Sequence, residues 1–278
     1  MPWSDFQQCA FPNLKKLDQV KFSGAPIGQF LRLSPSLEEY HLDTRDLTAD
    51  TVVPIPSHTS NLRRLEIYLN GGPAEAWNTL HTPHLVFLSL EPRAKVDRAA
   101  IEGVSSMLLQ RSEAALQDLK LLHFPAIDTI NLIDSHPSLT KITVLGEYDA
   151  EFYQQNFGDL FSRLTISGDK NEVILGPNLQ SFNIQLVGTD KPVSTPIFVD
   201  YIVNMLRSRA PVVDGTSSLS THRSFLSEFS SEALFTDDEI DDRHVNKKYK
   251  LIRARLAQQV AAGLELRLEN QDLGKLGA

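Results

Sequence analysis

Apolar residues recur along this chain in one short spacing. In "SNLRRLEIYL", residues 60–69, Leu62, Leu65, Ile67 and Leu69 are separated by Arg63, Arg64, Glu66 and Tyr68. Alternation of this kind predicts a half-buried strand, apolar on one face and polar on the other. The spacing returns in "PNLKKL" (12–17), "PSLEEYHL" (35–42), "PHLVFLSL" (83–90), "AALQDLKL" (114–121), "PSLTKITV" (137–144), "LFSRLTI" (160–166) and "PNLQSFNI" (177–184). Its first apolar position falls at Leu14, Leu37, Leu62, Leu85, Leu116, Leu139, Phe161 and Leu179, at intervals of roughly 18 to 31 residues.

A short strand repeated at that interval buries its apolar face against copies of itself. The predicted architecture is an α/β irregular leucine-rich-repeat solenoid: a curved parallel sheet of about eight rungs, closed by a C-terminal helix and strand. The Pro or Ser two residues ahead of each leucine is expected to end the preceding helix and impose an extended approach. Between strands, "VDRAAIEGVSSMLLQRS" sets Ile101, Val104, Met107 and Leu108 on one helical face, and "FVDYIVNMLRSRA" does the same for Phe198, Ile202, Met205 and Leu206. "DKNEVILGP" (169–177) reads as an extra strand or hairpin. The first repeat has Gln19 where a third apolar residue is expected, and only a short segment with Trp3 and Phe6 precedes it. The chain therefore reads as beginning inside an array.

The predicted segments are a solenoid over 1–210, a Ser/Thr-rich loop or weak rung over 211–235, and a capping helix and strand with a short tail over 236–278. In the last, "TDDE" (236–239) has the form of a capping box. Val245, Tyr249, Ile252, Leu256 and Val260 form an apolar stripe, Gly263 is placed to stop the helix, and "LELRLEN" alternates as a closing strand.

Composition narrows the class. With 278 residues, 41% hydrophobic and 22% charged, the chain is globular and has material for a continuous core. A net charge of -8 and a pI near 5.5 weigh against nucleic acid or an anionic membrane as the partner. No apolar run reaches the roughly 18 residues of a membrane span, and the N-terminus lacks the h-region of a signal peptide. The lone cysteine, Cys9, allows no intrachain disulfide, so an intracellular location, cytoplasmic or nuclear, is expected. Cys9 in "QQCAF" has no neighbouring base or cation and reads as a small buried apolar residue.

The irregular "FPNLKKL", "SPSLEEYHL", "TPHLVFLSL" and "HPSLTKITV" rungs, with the closing "RLAQQVAAGLELRLEN", carry a resemblance. Over residues 11 to about 270 the chain resembles the repeat portion of the F-box/leucine-rich-repeat family of mushroom-forming fungi. The resemblance implies a substrate-recruiting module of a ubiquitin ligase, in which an N-terminal F-box binds a Skp adaptor and cullin. No L-P-x-E-x-x-x-x-I-like segment precedes the repeats here, so Skp and cullin are expected as partners only if an F-box lies upstream. A free-standing repeat scaffold or adaptor is the alternative, and an undetected enzyme the third reading.

The chemistry-bearing residue types do not assemble into a catalytic signature. His81 and His84 in "HTPH" have ligand-like spacing but no third ligand. "DDEIDD" lacks the Gly and terminal Glu of a calcium loop. "NGGP" is a turn without phosphate-loop context, and no G-x-S-x-G elbow occurs. The basic run 243–255 reads as a solvated helix face. No catalytic residue, metal or cofactor is expected.

The two positions after each first leucine point outward on the concave face. They read Lys15-Lys16, Glu38-Glu39, Arg63-Arg64, Val86-Phe87 and Gln117-Asp118, then Thr140-Lys141, Ser162-Arg163 and Gln180-Ser181. The first three pairs predict a ladder of cross-strand ion pairs. Val86 and Phe87 have no such partner and suggest an interface anchor or a site covered by a loop. The expected protein-binding patch is His41, Arg64, Glu66, Tyr68, Val86, Phe87, Ser89 and Lys120, facing a protein of unknown identity.

Overall fold

Most of the described strands begin just after a turn or loop that buries the first leucine of the motif. The computed structural model describes residues 9–18, 27–43, 58–69, 80–92, 113–122, 124, 126–148, 158–166, 174–188, 196–210, 225–235 and 250–272. These belong to two compact units, Met1–Leu122 and His123–Ala278. In the first unit the elements run β1 (Lys16–Leu17), α1 (Ile27–Leu33), β2 (Glu39–Asp43), β3 (His58–Thr59), β4 (Arg64–Leu69), β5 (Leu80–His81), β6 (Phe87–Pro92) and β7 (Asp118–Leu122). Strands β1, β2, β4, β6 and β7 pair in that order, all parallel. β3 and β5 form a small parallel ladder of their own.

The second unit contains α2 (Ala126–Asp134), β8 (Lys141–Tyr148), β9 (Ser181–Gly188), α3 (Pro196–Arg209), β10 (Glu228–Phe235), α4 (Ala257–Ala261) and β11 (Glu265–Asp272). Its strands pair in the order β8, β9, β10, β11, again all parallel. The class is α/β. Among the described residues, no helix is long and apolar enough to cross a membrane.

The motif leucines align in rows under each ladder. In the first unit Leu37, Leu62, Leu85 and Leu116 make one buried row, with Tyr40, Leu65, Leu88 and Leu119 beside it. Leu42, Ile67, Leu90 and Leu121 make a third. In the second unit the corresponding residues are Leu139, Leu179, Leu226 and Leu264, then Ile142, Phe182 and Phe229. Phe182 stacks on Phe229 at 6.2 Å and meets the edge of Phe161 at 6.0 Å between ring centres. Each such side chain, fully buried, contributes about 1.5–3 kcal/mol.

Pro35 and Pro137 stand just past the ends of α1 and α2, as expected, but the approach the prolines impose differs from the expectation. Leu14, Leu37, Leu85, Leu139 and Leu179 each donate their backbone N–H to the carbonyl three residues earlier, on Phe11, Ser34, Thr82, His136 and Gly176. Pro12, Pro35, Pro83, Pro137 and Pro177 thus stand at the second position of a β-turn, where their fixed φ favours a turn rather than an extended approach. The proline-free "SNL" replaces that bond with a side chain: Leu62 N–H donates to Ser60 Oγ at 3.2 Å. Asparagines tie neighbouring turns together, Asn61 Nδ2 to the Pro35 carbonyl and Asn178 Nδ2 to the Pro137 carbonyl, both 2.9 Å.

Several further expectations need correction. Phe161 does not open a strand, because residues 158–164 are helical. Leu160, Phe161 and Leu164 fall on one side of that helix and are buried, and β8 pairs directly with β9. Residues 174–177, read as part of an extra strand, form the turn before Leu179 instead. Of the two readings of the Ser/Thr-rich stretch, loop or weak rung, the described part agrees with the rung: it carries β10, with Leu226 and Phe229 inward. Cys9 is exposed, since it lies ahead of the Phe11–Leu14 turn and outside the leucine rows. Val260 is also exposed, at 42%. Near Leu256 the backbone leaves helical dihedrals (φ -108, ψ 12), which turns the end of the stripe away from buried Ile252 and Leu256.

Gly263 does end this helix. At φ +109, its N–H bonds Val260 O at 3.0 Å while Leu264 N–H reaches Gln259 O at 3.0 Å, the paired bonds of a Schellman stop. The helix around Ile101–Leu108, the capping box at 236–239, Val245, Tyr249, Gln19 and residues 211–224 lie outside the described residues.

Among the described residues of the second unit, two titratable side chains are buried. Arg209, at the end of α3 and 4% exposed, donates to the carbonyls of Leu164, Leu175 and Gly176. Burial lowers its pKa well below the usual guanidinium range, to about 10. His136, also buried, donates Nδ1–H to the Leu132 carbonyl at 2.8 Å, and burial lowers its pKa below 6.5 in spite of that bond.

Candidate functional site

Parallel pairing without slippage carries equivalent outward residues from strand to strand in the first unit. Lys16 is opposite Glu39, Glu39 opposite Arg64, Arg64 opposite Phe87 and Phe87 opposite Asp118. Two residues further along, His41 is opposite Glu66, Glu66 opposite Ser89 and Ser89 opposite Lys120. Tyr68 lies between Asp43 and Glu91 in the next row. All eight residues of the predicted patch therefore lie on or beside strands β2, β4, β6 and β7, with neighbouring strands about 4.8 Å apart.

The ion-pair ladder forms over its first two strands. Lys15 Nζ lies 3.6 Å from Glu38 and Lys16 Nζ 3.1 Å from Glu39. Such exposed pairs contribute about 0–1 kcal/mol each. At β4 the pattern changes. Arg64 donates Nε and Nη2 to Glu66 Oε1 of its own strand, at 3.0 and 2.8 Å, and its guanidinium carbon lies 3.6 Å from the centre of the Phe87 ring. One carboxylate holds the guanidinium in place while the ring quadrupole attracts it from below.

The same Glu66 oxygen faces His41. Nδ1 of His41 is 2.9 Å from Asp18 Oδ1, and Nε2 is 3.3 Å from Glu66 Oε1. The second contact is off-line for hydrogen bonding and leaves Nε2 without a bonded partner. His41 is only 15% exposed at its side chain. Asp18, which the sequence reading left out, belongs to this cluster. It follows β1 by one position, a signal available from the register alone.

Exposure sorts the remaining residues. Val86 is 37% exposed, immediately beside the half-buried Phe87 and Arg64. Lys120 and Tyr68 are half-buried, and Tyr68 is engaged in an interaction of its own. Ser89 is 6% exposed. Its short side chain lies between the longer Glu66 and Lys120 and forms the floor of the row rather than a contact surface.

Among the described residues, no group of three or more His, Cys, Asp or Glu is placed to hold a metal ion. His81 joins β5 to β3 in the small ladder, and His84 sits in the turn before Leu85. No family model matches the chain, and no curated protein matches it.

Proposed function

We propose that this chain is a non-enzymatic protein-recognition module of leucine-rich-repeat type. The observation that carries the reading is Arg64 clamped by Glu66 over Phe87, beside exposed Val86. An aromatic ring, a pre-positioned arginine and an exposed aliphatic side chain on a rigid strand face make a typical interface anchor. The repeated L-x-x-L-x-L rows under parallel strands support the repeat reading. The resemblance to F-box repeat proteins makes substrate recruitment to a ubiquitin ligase the most concrete form of this function.

The test is paired. Replacing Arg64 and Phe87 by alanine in the intact chain is expected to remove its bound partner from affinity-isolated complexes while leaving the melting temperature unchanged. Retention of the partner by the double variant would falsify the assignment. Co-isolation of a Skp adaptor and cullin, together with an in-frame F-box segment encoded 5′ of Met1, separates the ligase receptor from a free-standing scaffold.

A further inference from the structure

Charge on the outward face of the first unit is unevenly satisfied. Among the described residues, Lys15 and Lys16 pair with Glu38 and Glu39, His41 with Asp18, and Arg64 with Glu66. Asp43, Glu91 and Asp118 are likewise engaged. The groups left over on β4 to β7 are cationic. Exposed Arg63 and half-buried Lys120 have no side-chain partner among the described residues, and neither does Nη1 of Arg64.

These cations border the exposed apolar pair. The Arg63 carbonyl accepts the N–H groups of both Val86 and Phe87, Arg64 registers with Phe87, and Lys120 registers with Ser89 two residues along the same strand. We propose that this surface binds an acidic peptide segment of a partner protein, an apolar side chain resting on Val86 and Phe87 and flanking Asp or Glu carboxylates taken by Arg63, Arg64 and Lys120. The inference rests on the recognition reading above and adds the chemistry of the partner.

Three arguments favour that occupant. The Arg64 side chain is already held by Glu66 and Phe87, so an incoming carboxylate orders little further side-chain freedom. The stretch from β4 to β7 spans two strand spacings, about 10 Å, which an extended segment of roughly three residues bridges. The net charge of -8 opposes long polyanions such as nucleic acids, whereas contacts shorter than the Debye length of about 8 Å are governed by the local cations. A short acidic segment in an otherwise uncharged sequence suits both conditions.

The experiment titrates the intact chain into fluorescein-labelled decapeptides carrying one Phe or Leu flanked by Glu, by Lys, by Gln or by phosphoserine, read by fluorescence anisotropy. Glu-flanked peptides are expected to bind, and Gln or Lys versions about tenfold or more weakly. Arg63→Glu with Lys120→Glu is expected to reverse the preference, with circular dichroism checking that the fold persists. Absence of Glu-peptide binding up to about 1 mM, binding that is blind to charge, or binding confined to phosphoserine peptides overturns the inference. Selection of Lys-flanked peptides, abolished by Arg64→Ala with Phe87→Ala, sinks the acidic partner and leaves the recognition surface standing. A double-alanine chain that keeps its cellular partner sinks both.

Discussion

Replacing Arg209 by methionine tests the interior of the second unit. The guanidinium donates to the carbonyls of Leu164, Leu175 and Gly176. Of these, Gly176 also accepts the Leu179 N–H at 3.2 Å, so the substitution leaves chiefly Leu164 and Leu175 short of a donor. Charge-assisted bonds contribute about 1.5–3 kcal/mol each, and an orphaned buried carbonyl costs about 1–3 kcal/mol. Against this stands the burial of the charge. A pKa lowered by burial to about 10 corresponds to a cost on the order of 3 kcal/mol that the variant recovers. The bonds win by about 3 kcal/mol, a drop of about 6–12 °C in Tm for a unit of this size. Scanning calorimetry and urea unfolding provide the measurement. Arg209→Lys should recover less than half the loss, because a single ammonium cannot reproduce the planar fork that serves three carbonyls. A methionine variant as stable as the parent, or more so, would show that desolvation outweighs the bonds, as it does for some buried ion pairs.

Phe182→Ala should destabilise by about 3–5 kcal/mol, because the ring is fully buried between Phe161 and Phe229; a loss below about 1 kcal/mol in urea unfolding contradicts that packing. Gly263→Ala should cost about 1–2 kcal/mol purely through backbone strain, since φ is +109 and an added Cβ meets nothing within 4 Å; an unchanged Tm counts against the Schellman stop. His136 predicts acid sensitivity. Its native pKa lies below 6.5, so between that value and 6.5 the unfolded chain binds more protons than the native one. Its contribution is intact above pH 6.5 and is lost as pH falls toward the native pKa, so urea midpoints should decline more steeply for the parent than for His136→Gln.

The leucine rows were legible because a fixed spacing of buried positions survives any change in the residues between them. Phe161 was misplaced because "LFSRL" satisfies a helical spacing as readily as the motif, and only pairing between strands separates the two. β10 was legible only as a weak rung, one of two readings, because Ser227, Ser230 and Ser231 lower the apolar contrast without disturbing Leu226 and Phe229. Counting from each leucine located Arg64 and Phe87 side by side, since register in a parallel ladder follows from that count. The turn of Arg64 toward Glu66 instead of Glu39 depends on side-chain geometry that no spacing records. Arg209 likewise resembled any last-turn cation. Its burial follows from where residues 158–164 and 174–177 pack.

Ahead of six of the described strands, one carbonyl takes two consecutive N–H groups from the chain entering the next strand. Lys15 accepts Glu38 and Glu39, Glu38 accepts Arg63 and Arg64, Arg63 accepts Val86 and Phe87, and Val86 accepts Gln117 and Asp118. In the second unit Thr140 accepts Gln180 and Ser181, and Gln180 accepts Ser227 and Glu228. The donors include cationic, anionic, aromatic, aliphatic and amide residues, because alignment is held by main-chain atoms that nearly every amino acid supplies. Proline alone is barred there, having no N–H. Mutation can therefore rewrite the outward pairs one strand at a time, changing the chemistry of the outward face while the main-chain bonds beneath it are kept.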